Sequence, residues 1–273
     1  MQFLISNAIP IFFVLAFAFL VFGQLKRRKQ AALKNSIHQK AQQQAQAVGV
    51  QVASQADGHV SNSGEIHGDT NYNGTTGGIE WTLKSTVLVG DSTISGGGRN
   101  QVWKRKSAWR TGAVKLPAGK FIMLMSTPGE IKTGDIKRGG LMNKLVNMAA
   151  DAVLDLYVAG YFGVEYKSLV SIGEDGVKVE RDQLKDFMIL TNLETTAQKY
   201  FDEATVTTIV GWKESNVGFT EEKKVDQFGL LFSPEGVILA CQSNMNNANE
   251  VKAFSDFGAA LTAKMMQVLN LRM

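Results

Sequence analysis

Cysteine and histidine are scarce in this chain, and their scarcity limits the chemistry that it can perform. Among the 273 residues there is one cysteine, Cys241, and there are three histidines. The histidines are His38, His59 and His67, so none lies within residues 79–273. A Ser-His-Asp or Cys-His catalytic centre in that part of the chain is therefore excluded, and so is a zinc site of the usual histidine and cysteine kind.

The single cysteine also excludes an internal disulfide framework, and such a chain suits a reducing compartment. Cys241 follows the apolar residues 237–240 in a predicted hairpin strand. We interpret it as a small core residue, and the alternative is a reactive thiol. From these absences we expect no metal site and no cofactor, and the pairs of adjacent carboxylates lie in charged segments that we interpret as solvated.

A basic surplus is missing from most of the chain. Residues 79–273 carry 23 basic and 22 acidic residues, so the sequence pI near 9.0 owes much to the first 78 residues. A dedicated nucleic-acid-binding domain carries its surplus of lysine and arginine on the domain itself. We therefore expect no nucleic-acid partner.

Charge of either sign is absent from residues 1–25, which contain a long hydrophobic run. From Ile9 to Phe22, eleven of the fourteen residues are Ile, Val, Leu or Phe. A helix rises about 1.5 Å per residue, so the 23 residues from Phe3 to Leu25 cross a hydrocarbon layer of about 30 Å. The run predicts a transmembrane anchor over 1–25.

Four basic residues directly follow this run, namely Lys26, Arg27, Arg28 and Lys29. No lysine or arginine precedes it, so the positive-inside rule places the N-terminus outside and the C-terminal part in the cytoplasm. The four cations are expected among anionic lipid head groups. The alternative, a cleaved signal peptide, requires a basic start and a small-residue cleavage site, and the sequence has neither. We predict a single-pass protein of the inner, cytoplasmic membrane.

Residues 26–48 form a predicted basic juxtamembrane helix or stalk. Residues 30–48 contain alanine, glutamine and lysine without glycine or proline, which favours a helix. A narrow apolar stripe follows one side of it: Leu33, Ile37, Ala41, Ala45 and Val48. The stripe suits a short coiled coil between two copies, and the alternative is a solvated helix or tether.

Residues 49–78 are rich in glycine, serine, asparagine and threonine, a composition typical of a flexible polar linker. We expect the folded domain to begin between residues 60 and 79. One alternative places a short strand at 64–68, joined through a turn at 71–74 to the strand that follows.

The remaining residues, 79–273, predict a cytoplasmic α+β domain, a mostly antiparallel sheet packed by about three helices. Strands are predicted at 79–89, 101–110 and 120–125, forming a meander, and again within 164–179 and at 187–190. Ser233-Pro234-Glu235-Gly236 predicts a hairpin turn between 228–232 and 237–242. Helices are predicted at 141–162, from a Thr191–Glu194 capping box to about 207, and at 248–271.

A basic segment with interleaved tryptophans is one candidate site. Seven basic residues and no acidic residue lie between Ser92 and Gly129. Such a surface suits anionic lipid or an acidic partner, and less well a single-stranded nucleic acid. The alternative is a solvated strand face with core tryptophans. The candidate residues are Trp103, Lys104, Arg105, Lys106, Trp109 and Arg110.

A second candidate is the glycine-rich loop 128–140, which contains Lys132, Lys137 and Arg138. It follows a predicted strand and precedes a helix, where backbone N–H groups are able to hold phosphate. Its spacing matches no known phosphate loop, and the alternative is a loop with no ligand. The apolar helix 141–162 is interpreted as a core helix, with a membrane-surface position as the alternative.

The function predicted from these patterns is a membrane-tethered, non-enzymatic binding or scaffold domain at the cytoplasmic face of the membrane. The first alternative is a phosphate- or nucleotide-binding enzyme that uses loop 128–140. The second is a homo-oligomeric structural element assembled through the stalk 30–48. The expected partners are the lipid bilayer and either another protein or further copies of the chain.

Overall fold

A computed structural model provides the structure of this chain. It places Met1–Gln44 and Ala45–Met273 in separate units. No helix among the described residues is long and apolar enough to cross a bilayer, and the predicted span and stalk lie almost wholly outside them. The structure describes residues 24, 28, 46, 49–55, 59–60, 66–67, 70–93, 99–126, 158–169, 176–215, 225, 227–243, 245 and 247–271.

Within the second unit, nine antiparallel strands form one sheet, and a few helices pack against it. This confirms the predicted α+β class. Two further strands, β2 (His59–Val60) and β3 (Ile66–His67), pair only with each other. The nine strands are β1 (Val50–Gln55), β4 (Thr70–Thr76), β5 (Ile79–Thr93), β6 (Arg99–Thr111), β7 (Ile122–Ser126), β8 (Val177–Val179), β9 (Phe187–Thr191), β10 (Phe228–Ser233) and β11 (Gly236–Cys241). The described helices are α1 (158–162), α2 (Tyr166–Leu169), α3 (Glu194–Tyr200), α4 (Glu203–Ser215) and α5 (Ala248–Val268), with a 3-10 turn at Asp182–Leu184.

The hairpin β10–β11 lies in the middle of the sheet, whose strand order is β1-β4-β5-β6-β11-β10-β7-β9-β8. The hairpin and its turn match the sequence prediction. The predicted meander is wrong, because β7 pairs with β10 and β9 instead of following β6. Every residue of β10 and β11 is buried, and such strands need neighbours on both sides and cover on both faces.

The segment predicted as a linker contributes two strands to the sheet. β1 pairs with β4, and β4 pairs with β5. Val50 and Tyr72 are only 3% and 5% exposed, so both strands have an apolar face against the core. The linker prediction was therefore wrong for these strands. The composition of β4 is that of a linker, because every residue except Tyr72 is asparagine, threonine or glycine, yet the strand is paired on both sides.

The turn between β4 and β5 is formed by Gly77 and Gly78, which have φ angles of 56° and 80°. Positive φ at both central residues is the requirement of a type I′ hairpin, which glycine meets without strain. The turn predicted at 71–74 is instead part of β4.

Helices α3, α4 and α5 pack on one face of the sheet. Their core includes a stack of Trp212 on Phe257, with ring centroids 4.3 Å apart and an interplanar angle of 4°. The Tyr200 hydroxyl donates to the carbonyl of Leu261 at 3.1 Å, which joins α3 to α5. The closing helix was predicted correctly, and Asn247 caps its N-terminus by accepting from the backbone N–H of Asn249 at 2.8 Å.

Helix α1 packs on the opposite face, over the hairpin strands. Phe162 is fully buried there, and it fills the space over Gly229, where a Cβ would lie 2.7 Å from the ring atom Cζ. The helix ends at Gly163, whose φ of 72° suits a helix C-terminus. Its backbone N–H donates to the carbonyl of Ala159 at 2.9 Å.

The predicted capping box is wrong, because Thr191 belongs to β9. Its hydroxyl donates to the carbonyl of Phe121 at 2.8 Å and accepts from the backbone N–H of Leu193. The helical region is also divided, since α3 ends at Tyr200 and α4 begins at Glu203. Upstream, 166–169 are helical where a strand was predicted, although Val177–Val179 do form a strand.

Candidate functional site

One row of side-chain positions crosses the whole sheet on the face that carries α1. The register places each residue directly opposite the next on the neighbouring strand. Its first four positions are polar and its next four are apolar, with a lysine at the far edge. In order, the row is Gln51, Asn73, Thr82, Arg110, Ile238, Leu231, Met123, Leu190 and Lys178.

The two halves of this row have different surroundings. Ile238, Leu231 and Met123 are buried in the core cluster that includes Phe162 of α1. Gln51, Thr82 and Arg110 are exposed, and Asn73 is half-buried. We call the residues Gln51, Asn73, Thr82 and Arg110 the polar row. The helix covers the apolar half of the sheet face, and the polar row forms the floor of an open groove.

The groove has a volume of about 1070 Å³, which lies just above the usual range for small-molecule sites, about 300–1,000 Å³. It extends from the polar row to the turns at the ends of the strands. Besides the polar row, it is lined by Gly49, Gly74, Thr75, Gly78, Ile79, Glu80, Trp81, Gly112, Ala113, Thr111, Glu235, Gly236, Val237 and Ile238.

Arg110 lies at the boundary between the open and the covered halves. Its Nη2 donates to the carbonyl oxygen of Phe162 at 2.9 Å, at the C-terminus of α1. A cation is favourable at this end of a helix, where carbonyl groups lack backbone partners. Although Arg110 is exposed as a whole, partial burial of its guanidinium lowers the pKa of this group, and attraction to the Glu235 carboxylate offsets part of the effect. Arg110 therefore holds α1 in place and also contributes a cation to the groove.

Asn73 has an unsatisfied acceptor. Its side-chain Oδ1 is shielded from solvent and has no hydrogen-bond partner within the described part of the chain. Leaving such an atom unpaired costs about 1–3 kcal/mol. Asn73, which lines the groove, therefore keeps an acceptor that the described residues leave unused.

The rim of the groove is fixed by hydrogen bonds around Thr111. Its hydroxyl donates to the carbonyl of Glu80 at 2.6 Å and accepts from the backbone N–H of Ala113 at 3.2 Å. Next to it, Gly236 has a φ of 135°, and a Cβ there would meet the Thr111 carbonyl oxygen. The two strand ends are therefore packed too closely for a side chain at 236, and they hold Glu80 and Glu235 on a rigid rim.

The chemistry available in the groove is hydrogen bonding. It offers amides, hydroxyls, two carboxylates and one guanidinium, and its lining includes no histidine or cysteine. No three His, Cys, Asp or Glu residues in the described ranges lie close enough together to hold a metal ion. Cys241 lies in the core on the opposite face, 1% exposed, which confirms its interpretation as a core residue. Burial raises the pKa of its thiol to about 12.

The structure separates the members of the predicted basic surface. Trp109 is fully buried under α5 and contributes nothing to a surface, which corrects that part of the prediction. Lys106 and Arg110 lie on the opposite face of β6, where burial and repulsion from Arg110 lower the pKa of Lys106. For Trp103, Lys104 and Arg105 the structure describes the backbone alone.

The other predicted site residues lie mostly outside the described residues. Arg28 is described as an exposed helical residue, whereas Lys26, Arg27 and Lys29 are not described. The same holds for Lys132, Lys137 and Arg138 of loop 128–140. The phosphate-loop and membrane-contact interpretations therefore stay predictions.

The groove was not predicted from the sequence, because half of its floor lies in the supposed linker. The signal was present in the alternation of residues: Val50 and Val52 flank Gln51, and Asn71 and Asn73 flank Tyr72. A period of two is typical of a strand with one buried face, even where polar residues dominate.

Comparisons with protein-family models, with curated proteins and with solved structures find no match to this chain.

Proposed function

We propose that this chain is a membrane-tethered, non-enzymatic binding or scaffold domain and that the groove is its ligand site. In this proposal, residues 1–25 anchor the chain in the cytoplasmic membrane and residues 45–273 face the cytoplasm. The observation that carries the binding role is the open, polar half of the sheet beside the covered, apolar half. A sheet face of this size, lined by amides, hydroxyls and charged side chains, is suited to receive a ligand.

Binding is favoured over catalysis by the kinds of group that surround the groove. General acid–base catalysis needs a titratable group that is positioned beside the reacting atom and that has a suitable pKa. The carboxylates of Glu80 and Glu235 are exposed on the rim, and the guanidinium of Arg110 is engaged with a helix end. A hydrogen-bonding surface with this composition orients a ligand without supplying a nucleophile.

The tether is supported by the sequence of the first 29 residues. A charge-free run followed by four cations predicts both an anchor and its orientation. Tethering raises the effective concentration of a binding domain near other membrane components, so a weak interaction becomes useful. The proposed role needs only modest affinity at the groove for this reason.

The binding role is tested with the full-length chain in detergent micelles. The chain is incubated with the small-molecule extract of its own cells and is then analysed by native mass spectrometry. Thr82→Trp fills the floor of the groove, and Thr86→Trp makes the same change on the same strand and face outside it. We expect a small-molecule adduct that Thr82→Trp loses and Thr86→Trp keeps. Equal adducts in both variants, or chemical conversion of the bound molecule, would contradict the proposal.

The tether is tested separately, by adding protease to intact spheroplasts that express the chain with a C-terminal epitope. We expect the epitope to survive until the membrane is permeabilised and to fractionate with membranes before that. Digestion of the epitope in intact spheroplasts would contradict the proposed orientation. Recovery of the chain in the supernatant after lysis would contradict the proposed anchor.

A further inference from the structure

The charges of the groove are unfavourable for an anionic ligand. The lining includes two carboxylates, Glu80 and Glu235, and one guanidinium, that of Arg110, which already donates to Phe162. A phosphate or carboxylate ligand would meet repulsion from the rim that Arg110 only partly offsets. Anion sites in proteins have the opposite composition, with several cations or free backbone N–H groups pointing at the ligand.

A cationic ligand is also poorly matched, because Arg110, the member of the polar row beside the covered half of the sheet, is itself a cation. An ammonium group placed over the polar row would be repelled by the Arg110 guanidinium. None of the other three residues of the row is a carboxylate that could offset this repulsion. The remaining floor residues, Gln51, Asn73 and Thr82, are uncharged. An uncharged ligand therefore fits this distribution with the least electrostatic cost.

The hydrogen-bonding pattern of the floor needs a ligand that both donates and accepts. The amides of Gln51 and Asn73 and the hydroxyl of Thr82 each have donor and acceptor capacity. Arg110 only donates, and the rim carboxylates only accept when ionised. A ligand hydroxyl is able to form a hydrogen bond with each of these groups, because it donates to a carboxylate or amide oxygen and accepts from an amide or guanidinium.

The spacing of the row suits an extended molecule with repeated hydroxyl groups. Adjacent strands lie about 4.8 Å apart, so the four residues of the polar row span about 14 Å. The aromatic residue in the lining, Trp81, is only 4% exposed, so a ligand in the groove is held by hydrogen bonds and not by stacking on a ring. From this combination we infer that the groove binds a neutral oligosaccharide of a few sugar rings. This inference rests on the proposed binding function.

The experiment titrates the full-length chain in nanodiscs with maltotriose, cellotriose and chitotriose, and in parallel with spermidine and inorganic phosphate. Binding is followed by isothermal titration calorimetry at low and at high salt. We expect at least one trisaccharide to bind with an affinity that salt leaves unchanged, because screening acts on charged partners. The inference would be overturned if none of the three sugars bound, or if spermidine or phosphate bound more tightly than the sugars.

Asn73→Leu and Asn71→Leu form the matched pair of variants. Both residues lie on the same face of β4, but of the two only Asn73 lines the groove. We expect Asn73→Leu to weaken trisaccharide binding about tenfold and Asn71→Leu to leave it unchanged. The double variant Glu80→Gln with Glu235→Gln is expected to change the affinity by less than about threefold, whereas a cationic ligand would be lost.

The outcomes separate this inference from the proposed function. If no sugar binds but the cellular adduct still depends on an unobstructed groove, the ligand class is wrong and the binding function stands. If no ligand depends on the groove in either experiment, both fail. A folded state for each variant is confirmed by its melting temperature before binding is measured.

Discussion

Gly258 of α5 lies directly against the indole ring of Trp109 in β6. A Cβ at residue 258 would be 2.9 Å from the ring atoms Cδ2 and Cε3, which is closer than side-chain atoms approach one another. Trp109 is fully buried. The absence of a side chain at Gly258 therefore determines how closely the closing helix packs on the sheet.

We expect Gly258→Ala to destabilise the protein by roughly 1–3 kcal/mol, because the added methyl group overpacks a full core. Gly211→Ala is the matched control, since Gly211 is an exposed glycine of α4 with open space around it. Helix propensity predicts a gain there of about 0.5–1 kcal/mol. Urea unfolding of both variants provides the measurement. Equal gains in stability at the two positions would show that the contact with Trp109 yields easily.

We expect Arg110→Ala to release the C-terminus of α1. The lost bond to Phe162 is charge-assisted, and its removal is expected to cost about 1.5 kcal/mol, the low end for this type because the side chain is exposed. Hydrogen exchange of the backbone amides in 158–163 measures the effect. Lys84→Ala, an exposed change on the same sheet face, is the control. Unchanged exchange in Arg110→Ala would mean that packing of Phe162 alone holds the helix end.

Asp202 is expected to make stability depend on pH in the acid range. The Lys264 ammonium, 2.6 Å from Oδ2, and the backbone N–H of Thr205 hold the pKa of this carboxyl at about 2, below its ordinary value of 3.8. The folded state thus binds the proton less readily than the unfolded state. The stabilisation is present above about pH 4 and is lost as the pH falls through about 2.

Two substitutions separate the roles of Asp202. Asp202→Asn keeps an acceptor for the N-terminus of α4 but loses the ion pair, so it should cost less than about 1 kcal/mol at neutral pH. Asp202→Ala loses both and should cost about 1 kcal/mol more. The free energy of unfolding, measured from neutral pH to about pH 2, should depend less on pH in Asp202→Asn than in the native protein. Parallel curves would place the acid sensitivity elsewhere.

Cys241 is expected to be unreactive in the folded protein. Burial raises the pKa of its thiol to about 12, and only the thiolate reacts rapidly with disulfide reagents. Labelling with a coloured disulfide at mildly alkaline pH should require prior unfolding. Rapid labelling under native conditions would show that β11 opens locally.

The raised pKa of the Cys241 thiol is also expected to lower the free energy of unfolding at alkaline pH. Its pKa is higher in the folded state, so its contribution is complete below the pKa of the unfolded state, about 8.5, and is lost as the pH rises toward 12. Cys241→Ala should remove this part of the alkaline decline. Identical alkaline profiles for the native and variant proteins would assign the decline to other groups, such as Tyr72, whose pKa burial also raises to about 12.

Local patterns were sufficient to predict the elements whose residues alternate or repeat clearly. The strands near 79–93, 101–111 and 122–126, the hairpin at 228–241 and the helix from 248 all follow from such patterns. The α+β class follows from their order. These features depend on interactions between residues that are close in the chain, and sequence reports on those directly.

The arrangement of the strands was not predictable in this way. β10–β11 pairs with β6 and β7 although more than 100 residues separate it from both, and no local signal specifies such a partner. Thr191 shows the same limit on a smaller scale, because its hydroxyl bonds to Phe121, 70 residues away, instead of capping the adjacent helix. The groove was missed for both reasons, since its floor joins strands from distant parts of the chain.

The central position of the β10–β11 hairpin has a consequence for synthesis on the ribosome. β6 and β7 are made early, yet the strands that fill the gap between them emerge only after residue 241 has left the exit tunnel. Until then β6 and β7 lack the neighbours that they have in the finished sheet, and unpaired strand edges readily pair with other chains. A nascent chain of this protein therefore depends on protection of those edges, and any product truncated before residue 241 is expected to aggregate.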